Sequence, residues 1–204
     1  KHFYAHKSCV TSLVSSCDGL YVASAGNDQR LIIYDTMVFD VIQIITLDFV
    51  PGPVCWVHNN SMIRTIGMGL LIRPLLAVAN STTHDILVYN IETSKPIFTF
   101  HYHKHPIVGI VFHPLHNFAV SLDKNGTFSY WIPQDGSVPK QFLEFRYLIS
   151  TDLYLFKKNY VTPMSLSISP NGKYMSVFGL DWKVWIFVGD KQMYIFDVKK
   201  GKLI

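Results

Sequence analysis

Two stretches of the sequence repeat one order of residues, "SSCDGLYVASAGNDQRLIIYD" at 15–35 and "SISPNGKYMSVFGLDWKVWIF" at 167–187. Each runs through a polar turn that ends in glycine, an apolar strand, a turn with an aspartate, and a strand that closes on an aromatic residue. The turn glycine and the aspartate are nine positions apart in both copies, Gly19 to Asp28 and Gly172 to Asp181. Such self-similarity predicts a fold built from repeated units.

Two more copies have the same order, "IVFHPLHNFAVSLDKNGTFSYW" at 110–131 and the weaker "LLAVANSTTHDILVYN" at 75–90. The closing aromatic residues are therefore Tyr34, Tyr89, Trp131 and Phe187, at spacings of 55, 42 and 56. A period of about 40–45 residues with four short strands is typical of a β-propeller blade, and longer spacings indicate insertions. The predicted units cover residues 6–47, 53–100, 105–148 and 160–204.

The segments between the copies supply candidates for the fourth strand of each unit. They are "DVIQIITL" at 40–47, "KPIFTFHY" at 95–102 and "FLEFRYL" at 142–148. No segment has a sustained helical period, although "TDLYLFKKN" at 151–159 could form a short helical turn. We therefore predict an all-β fold.

Composition narrows the class of protein further. About half of the 204 residues are apolar and 16% are charged, which argues against disorder, and a net charge of +4 is only a mild basic bias. The three cysteines have no C-x-x-C spacing and favour a reducing compartment over a disulfide framework. The most apolar window, 62–80, contains Arg64, Arg73 and Pro74, so we expect no membrane span.

The repeats resemble the WD-repeat family. In that family a histidine before the first strand, a serine or threonine in the second, an aspartate in the next turn and a tryptophan in the third form a hydrogen-bonded set. The resemblance implies such sets here, with a structural role because a buried histidine ring needs partners for both nitrogens. The first unit would use His6, Ser24, Asp28 and Tyr34, and the third unit His105, Ser121, Asn125 and Trp131.

Longer segments resemble one group of this family, the nuclear peptidyl-prolyl isomerase domain and WD repeat-containing proteins. The most specific are "FVPGPVCWV" at 49–57 and "STDLYLFKK" at 150–158. The resemblance implies part of a propeller of about seven blades that precedes a cyclophilin domain, with links to spliceosomes and chromatin. Isomerase activity belongs to the cyclophilin part, whose Phe-His-Arg and Gln-Gly-Gly-Asp segments are absent from this sequence. We therefore expect no enzyme activity and no cofactor.

The closing strand of the fourth unit is written twice, as "GLDWKVWIF" at 179–187 and "VGDKQMYIFD" at 188–197. An aspartate precedes a phenylalanine by six positions in both, Asp181 to Phe187 and Asp190 to Phe196. One alternative is an inserted nine-residue strand. The other is one true blade strand beside a bulge or an extra hairpin arm. A genuine insertion and an error in the gene model both fit this pattern.

Several motifs suggest other chemistry, and the repeat explains most of them better. His101, His103 and His105 alternate on one face of a strand, as metal ligands do, but no carboxylate or cysteine is near in sequence. Ser24, His6 and Asp28 have the residue types of a hydrolase triad, which the repeat already requires. Aromatic and basic residues interleave in "DWKVWIF" and "LYLFKKNY" as in single-stranded RNA platforms, although such aromatics are more often core residues.

We therefore predict a nuclear protein-interaction scaffold that acts in pre-mRNA splicing. Its partners would be proteins, with RNA contact possible but not favoured and no small-molecule substrate. The alternative is a WD-repeat reader of histone tails or other peptides. Binding is expected at loops held by rigid sheets. The predicted contact residues are Asp18, Asp35, Thr36, Lys104, His105, His116, Gln134 and Asp135.

Overall fold

The computed structural model describes residues 5–58, 74–113, 115–139, 150–152, 160–188 and 191–203. Within these ranges the chain forms β-strands, turns and irregular segments, with no helix and hence none long and apolar enough to cross a membrane. The strands make four antiparallel sheets, and the prediction of an all-β fold built from repeated sheets is confirmed. The chain divides into two compact units, Lys1–His101 and Tyr102–Ile204, each with two sheets.

The first unit contains two four-stranded meanders, in which consecutive strands pair in order. The first sheet consists of β1 (Val10–Ser15), β2 (Tyr21–Gly26), β3 (Arg30–Asp35) and β4 (Asp40–Thr46). The second sheet consists of β5 (Pro51–Trp56), β6 (Leu75–Asn80), β7 (Ile86–Asn90) and β8 (Lys95–Phe100). β4 and β8 fall on two of the predicted fourth strands.

The second unit contains the third and fourth sheets, which are also meanders. The third consists of β9 (Ile107–Phe112), β10 (Ala119–Asp123), β11 (Thr127–Trp131) and β12 (Ser150–Asp152). The fourth consists of β13 (Pro163–Ile168), β14 (Met175–Gly179), β15 (Lys183–Val188), β16 (Lys191–Asp197) and β17 (Lys202–Leu203). The predicted fourth strand at 142–148 lies outside the described residues, and so does 153–159 of the suggested helical turn.

The two sheets of the first unit pack face to face, because strand periodicity puts alternate apolar residues on one side. Ala23, Ala25 and Leu31 of the first sheet are fully buried in a core with Val54 and Trp56 of the second. The indole nitrogen of Trp56 also donates a hydrogen bond of 3.1 Å to a backbone carbonyl of β1, at Val14. This bond fixes the second sheet against the first.

The second unit is built on the same principle, with several aromatic residues in its core. Phe128 and Tyr130 of the third sheet are buried in one cluster with Trp185 and Phe187 of the fourth. Gly109 in β9 lets the sheets approach, since a Cβ there would lie 2.8 Å from the Cβ of Leu166 in β13. Neither sheet of this pair buries its apolar face alone.

Both copies of the duplicated closing strand are full strands of the fourth sheet. β15 pairs with β14 on one side and with β16 on the other, in antiparallel register from Lys183 opposite Asp197 to Val188 opposite Lys191. The short β17 then pairs with β16. The duplication therefore adds a strand, and the sheet has five strands where the other three have four.

His58 is a buried histidine that no sequence motif singled out. It is 3% exposed, its ring lies edge-on to Trp56 at 5.4 Å, and its nitrogens make no hydrogen bond of normal geometry with a described residue. Burial lowers the pKa of His58, and the carboxylate of Asp18 and the backbone of Leu75 offset only part of this effect. The folded chain therefore holds this ring in its neutral form.

We expect the free energy of unfolding to fall as the pH drops below about 6.5, the ordinary histidine pKa. In this range the unfolded chain binds a proton at His58 that the folded chain does not, so protonation favours unfolding. Replacing the ring by His58→Phe should reduce the slope by up to about 1.4 kcal/mol per pH unit. Urea unfolding at a series of pH values measures it.

The control is His105→Gln, which removes an exposed histidine and keeps His58 in place. Some slope will persist in His58→Phe, because burial also lowers the pKa of His113. An equal slope in the wild-type chain and His58→Phe would contradict the assignment.

Candidate protein-interaction surface

The hydrogen-bonded set of the first sheet joins all four residues that the WD-repeat resemblance implied. His6 Nδ1 lies 2.9 Å from Asp28 Oδ1, and His6 Nε2 lies 2.7 Å from the Ser24 hydroxyl. The Ser24 hydroxyl donates to the Tyr34 hydroxyl at 3.3 Å, so tyrosine takes the place of tryptophan. Gly26 is required beside this set, since a Cβ there would lie 2.7 Å from both Asp28 Oδ1 and His6 Nδ1.

The carboxylate of Asp28 is kept ionised by this set. Burial raises the pKa of Asp28, but the hydrogen bond from Lys7 N at 2.7 Å and the contact with His6 outweigh it, and the pKa lies below its ordinary value. The same order of bonds occurs in a hydrolase triad. Here Ser24 is buried and its hydroxyl is bonded within the sheet, so the set ties the segment before β1 to β2 and β3.

The prediction was wrong for two members of the set in the third sheet. His103, and not His105, places Nδ1 at 3.1 Å from Asp123 Oδ2 and Nε2 at 2.7 Å from the Ser121 hydroxyl. Trp131 Nε1 donates to the same hydroxyl at 3.2 Å, as the resemblance implied. His103, Ser121 and Asp123 are buried, whereas His105 is exposed.

Spacing explains both corrections. His6 precedes its serine by 18 positions, and the histidine that precedes Ser121 by 18 is His103. The carboxylate comes from Asp123, two residues after the serine, at the position that Gly26 occupies in the first sheet. The Asn125 side chain is not needed as an acceptor, and Asp123 Oδ1 instead receives the backbone N–H of Asn125 at 3.0 Å.

The three alternating histidines take different partners. His101 Nδ1 lies 2.7 Å from Asp85 Oδ1, His103 belongs to the set above, and His105 is exposed. Among the described residues, no three His, Cys, Asp or Glu side chains are grouped as a metal ion would require.

His113 is buried, although it lies at the start of the "HPLHN" turn between β9 and β10. Its Nδ1 accepts the backbone N–H groups of Leu115 and His116 at 3.2 and 3.1 Å, and its Nε2 lies 3.2 Å from the carbonyl of Gly172. The ring stacks on His116 at 4.7 Å. Within the second unit, His113 thus connects the third sheet to the β13–β14 turn.

The predicted contact residues fall at the ends of sheets, in three groups. Asp18, Asp35 and Thr36 lie on the β1–β2 and β3–β4 turns of the first sheet. Lys104 and His105 are exposed in the segment before β9, at one end of the third sheet. The third group lies at the opposite end of the same sheet. It consists of His116, Gln134 and Asp135, of which Gln134 is bonded to Asn117 at 2.9 Å.

The group on the first sheet adjoins exposed apolar side chains that the sequence reading missed. Leu20, Met37, Val38 and Phe39 are all exposed, Phe39 to 69%, at the end of the sheet where the β1–β2 and β3–β4 turns meet. We define the turn surface as these four residues with Asp18, Asp35 and Thr36. An apolar cluster of this kind, rimmed by polar groups, is typical of a protein-binding site.

Hydrogen bonds hold the turn surface in shape. The Thr36 hydroxyl donates to the carbonyl of Gly19 at 2.7 Å and Thr36 N to the carbonyl of Leu20 at 3.0 Å, which joins the two turns. Asp35 Oδ1 accepts the N–H groups of Met37 and Val38 at 2.7 and 3.2 Å. A surface ordered before binding loses less conformational entropy when a partner docks.

Comparison with known proteins places this geometry in context. The family model "WD domain, G-beta repeat" matches residues 1–35. The chain is 31% identical over 97% of its length to the Homo sapiens peptidylprolyl isomerase domain and WD repeat-containing protein 1, and covers 30% of that protein. It is 28% identical over its whole length to peptidyl-prolyl cis-trans isomerase cyp15 of Rhizopus delemar, again covering 30%. The chain thus spans about a third of the length of these relatives.

The reassignment in the third sheet can be tested by a pair of substitutions. His103→Ala should lower the free energy of unfolding by about 3 kcal/mol, because it leaves the buried Asp123 carboxylate and Ser121 hydroxyl without their partner. His105→Ala, on an exposed residue, should change it by less than about 0.5 kcal/mol. Urea unfolding followed by circular dichroism measures both, and equal losses would contradict the assignment.

Proposed function

We propose that this chain, which belongs to the WD-repeat proteins, is a non-catalytic scaffold for protein binding in pre-mRNA splicing. It matches peptidylprolyl isomerase domain and WD repeat-containing relatives along 97% of its length. The chain corresponds to the WD-repeat part of such proteins. The isomerase activity in the relatives' names would reside in the cyclophilin domain, whose active-site segments this sequence lacks. The resemblance also supports a nuclear location.

The turn surface is the observation that carries this proposal. Four large apolar side chains project from two turns whose backbones are bonded to each other and capped by Asp18 and Asp35. Exposed apolar area on an ordered backbone gains free energy when a partner covers it, and little of that gain is lost to ordering. The surface therefore suits a folded or peptide partner with apolar side chains.

The charged residues near the turn surface indicate what kind of partner would bind there. Asp18, Asp35 and Asp40 lie at this end of the first sheet, while Lys7 and Arg30, the basic residues within 5–47, lie at the other end. Basic residues flanking an apolar segment would complement this distribution and speed association. We propose a partner segment of that kind, from a spliceosomal protein.

Capture of proteins from nuclear extract tests the proposal. We expect the wild-type chain to retain splicing proteins with and without RNase, and a variant with Met37→Ser and Phe39→Asn to lose them. These changes remove apolar contact area, and asparagine tolerates the left-handed backbone of Phe39, where φ is 54°. Quantitative mass spectrometry measures the retained proteins.

Ile97→Ser is the matched control, because Ile97 is an exposed apolar residue of the same unit on β8. Its capture profile should equal that of the wild-type chain. Retention of splicing proteins by the Met37 and Phe39 variant would remove the turn surface from the proposal. Capture of histones without splicing proteins would instead favour a chromatin reader.

Isomerase activity provides a second, inexpensive test. We expect cis–trans isomerisation of a proline-containing model peptide to proceed at the same rate with and without this chain, because no cyclophilin active-site segment is present. A protease-coupled assay measures the rate, with a cyclophilin as the positive control. Acceleration that follows the concentration of the chain would contradict a purely non-catalytic role.

A further inference from the structure

The added strand brings two turns of the fourth sheet to the same end. In a meander, successive turns alternate between the two ends of the sheet, as the β2–β3 and β3–β4 turns do in the first sheet. In the fourth sheet the turn after β16 returns beside the β14–β15 turn. Lys183 pairs with Asp197, and Val198 N donates to the carbonyl of Trp182 at 3.0 Å.

An exposed tryptophan stands at this end. Of the four tryptophans in the chain, all of which the structure describes, Trp56, Trp131 and Trp185 are buried and Trp182 is 51% exposed. Trp182 has a φ of 63°, in the left-handed region. Gln29, at the same position in the equivalent turn of the first sheet, has a φ of 59°. The backbone of this turn therefore directs a large ring into solvent.

Four lysines lie at the same end of the fourth sheet as this ring. Lys183 starts β15, Lys199 and Lys200 lie in the turn after β16, and Lys202 starts β17. The Lys199 ammonium is over the Trp182 ring, 5.4 Å from its centroid. We call Trp182 and these four lysines the lysine–tryptophan end.

Two carboxylates lie among these lysines and neutralise only part of their positive charge. Asp181 Oδ2 is 3.4 Å from Lys183 Nζ, and Asp197 Oδ2 is 4.0 Å from Lys200 Nζ. Their other oxygens accept the backbone N–H groups of Lys183 and Lys200 at 3.3 and 2.9 Å. Four lysines against two aspartates leave a net charge of +2 around the ring.

Another exposed aromatic residue lies at the same end of the sheet. Tyr160 is 94% exposed and precedes β13, which pairs with β14 through Pro163 opposite Gly179. The N–H of Leu180 donates to the carbonyl of Thr162 at 2.9 Å, so the segment after Tyr160 adjoins the turn that carries Trp182. Two aromatic rings in solvent thus accompany the lysines.

We propose that the lysine–tryptophan end binds single-stranded nucleic acid. A base stacks on the Trp182 ring, and the lysines contact the phosphates on either side, which is how proteins bind single strands without reading their sequence. The acidic side chains of a peptide would pair with the lysines but would not stack on the tryptophan ring. A base-paired duplex keeps its bases stacked inside and would contact the lysines alone.

The two tryptophans of the "DWKVWIF" motif lie three residues apart in sequence but differ in exposure. The expectation that its aromatics are core residues holds for Trp185, which is packed in the core of the second unit. Trp182 belongs to the turn, and only its exposure makes stacking possible. The site is independent of the turn surface, which lies in the first unit.

Fluorescence anisotropy of a labelled oligouridylate of about 12 nucleotides, titrated with the full chain, tests the proposal. We expect Trp182→Ala to weaken binding roughly 5- to 150-fold, the range for loss of one stacked base, and Trp182→Tyr to keep most of the affinity. Lys199→Gln with Lys200→Gln should reduce the slope of log K against log salt by about 1.4, since each phosphate contact contributes about 0.7.

A matched control lies at the opposite end of the same sheet, where the Lys173 ammonium is over the Tyr174 ring at 5.6 Å. Lys173→Gln with Tyr174→Ala should leave the affinity within about twofold of the wild-type value, because this turn has a single lysine. Thermal unfolding of every variant checks its fold. If Trp182→Ala fails to fold, Trp182→Tyr and the lysine pair still carry the test.

The following outcomes would overturn the proposal. One is no binding by the wild-type chain, and another is binding that the Trp182 and lysine substitutions leave unchanged. Equal affinity for oligoglutamate, weakened by the same substitutions, would identify the end as a site for acidic proteins. Equal affinity for duplex RNA would indicate phosphate contact without stacking.

Discussion

Each sheet of this protein has one apolar face that it cannot bury alone, and this constraint governs the rest of the structure. In the first unit the alanines of β2 meet Val54 and Trp56 of the second sheet, and in the second unit Phe128 meets Phe187. A four-stranded meander is too thin to form a core by itself, so repeats must stack.

The buried histidine sets serve this packing. His6 and His103 precede the first strands of their sheets, and each ring bonds through both nitrogens to groups from the second strand or the turn after it. A connecting segment that would otherwise be loose is thereby held against its sheet, because breaking either bond would leave a buried polar group unpaired. The turns keep their places relative to the sheet, and an interaction surface made of turns needs that order.

The fourth sheet shows how a small change in sequence moves a surface. The repeated nine-residue segment adds one strand, and the pleat and the antiparallel pairing continue through it. With this strand present, the turn after β16 lies at the same end of the sheet as the β14–β15 turn. The lysines of that turn then meet Trp182, which in a four-stranded meander would lie at the far end.

Local sequence determined much of this protein by itself. The glycine and aspartate spacing and the alternation of apolar residues predicted all-β repeats, and β4 and β8 fall where fourth strands were expected, because strand period and turn chemistry are local properties. The set of His6, Ser24, Asp28 and Tyr34 followed from the resemblance to the WD-repeat pattern. The spacing within that set could then have identified His103, which precedes Ser121 by 18 residues as His6 precedes Ser24.

Only the tertiary structure decided the rest. The burial of Trp185 and exposure of Trp182 depend on whether each lies in a strand face or in a turn. Likewise, Leu20 and Phe39 form one surface only because antiparallel pairing brings two separate turns together. Exposure and proximity are properties of the assembled sheets, and the order of residues along the chain does not contain them.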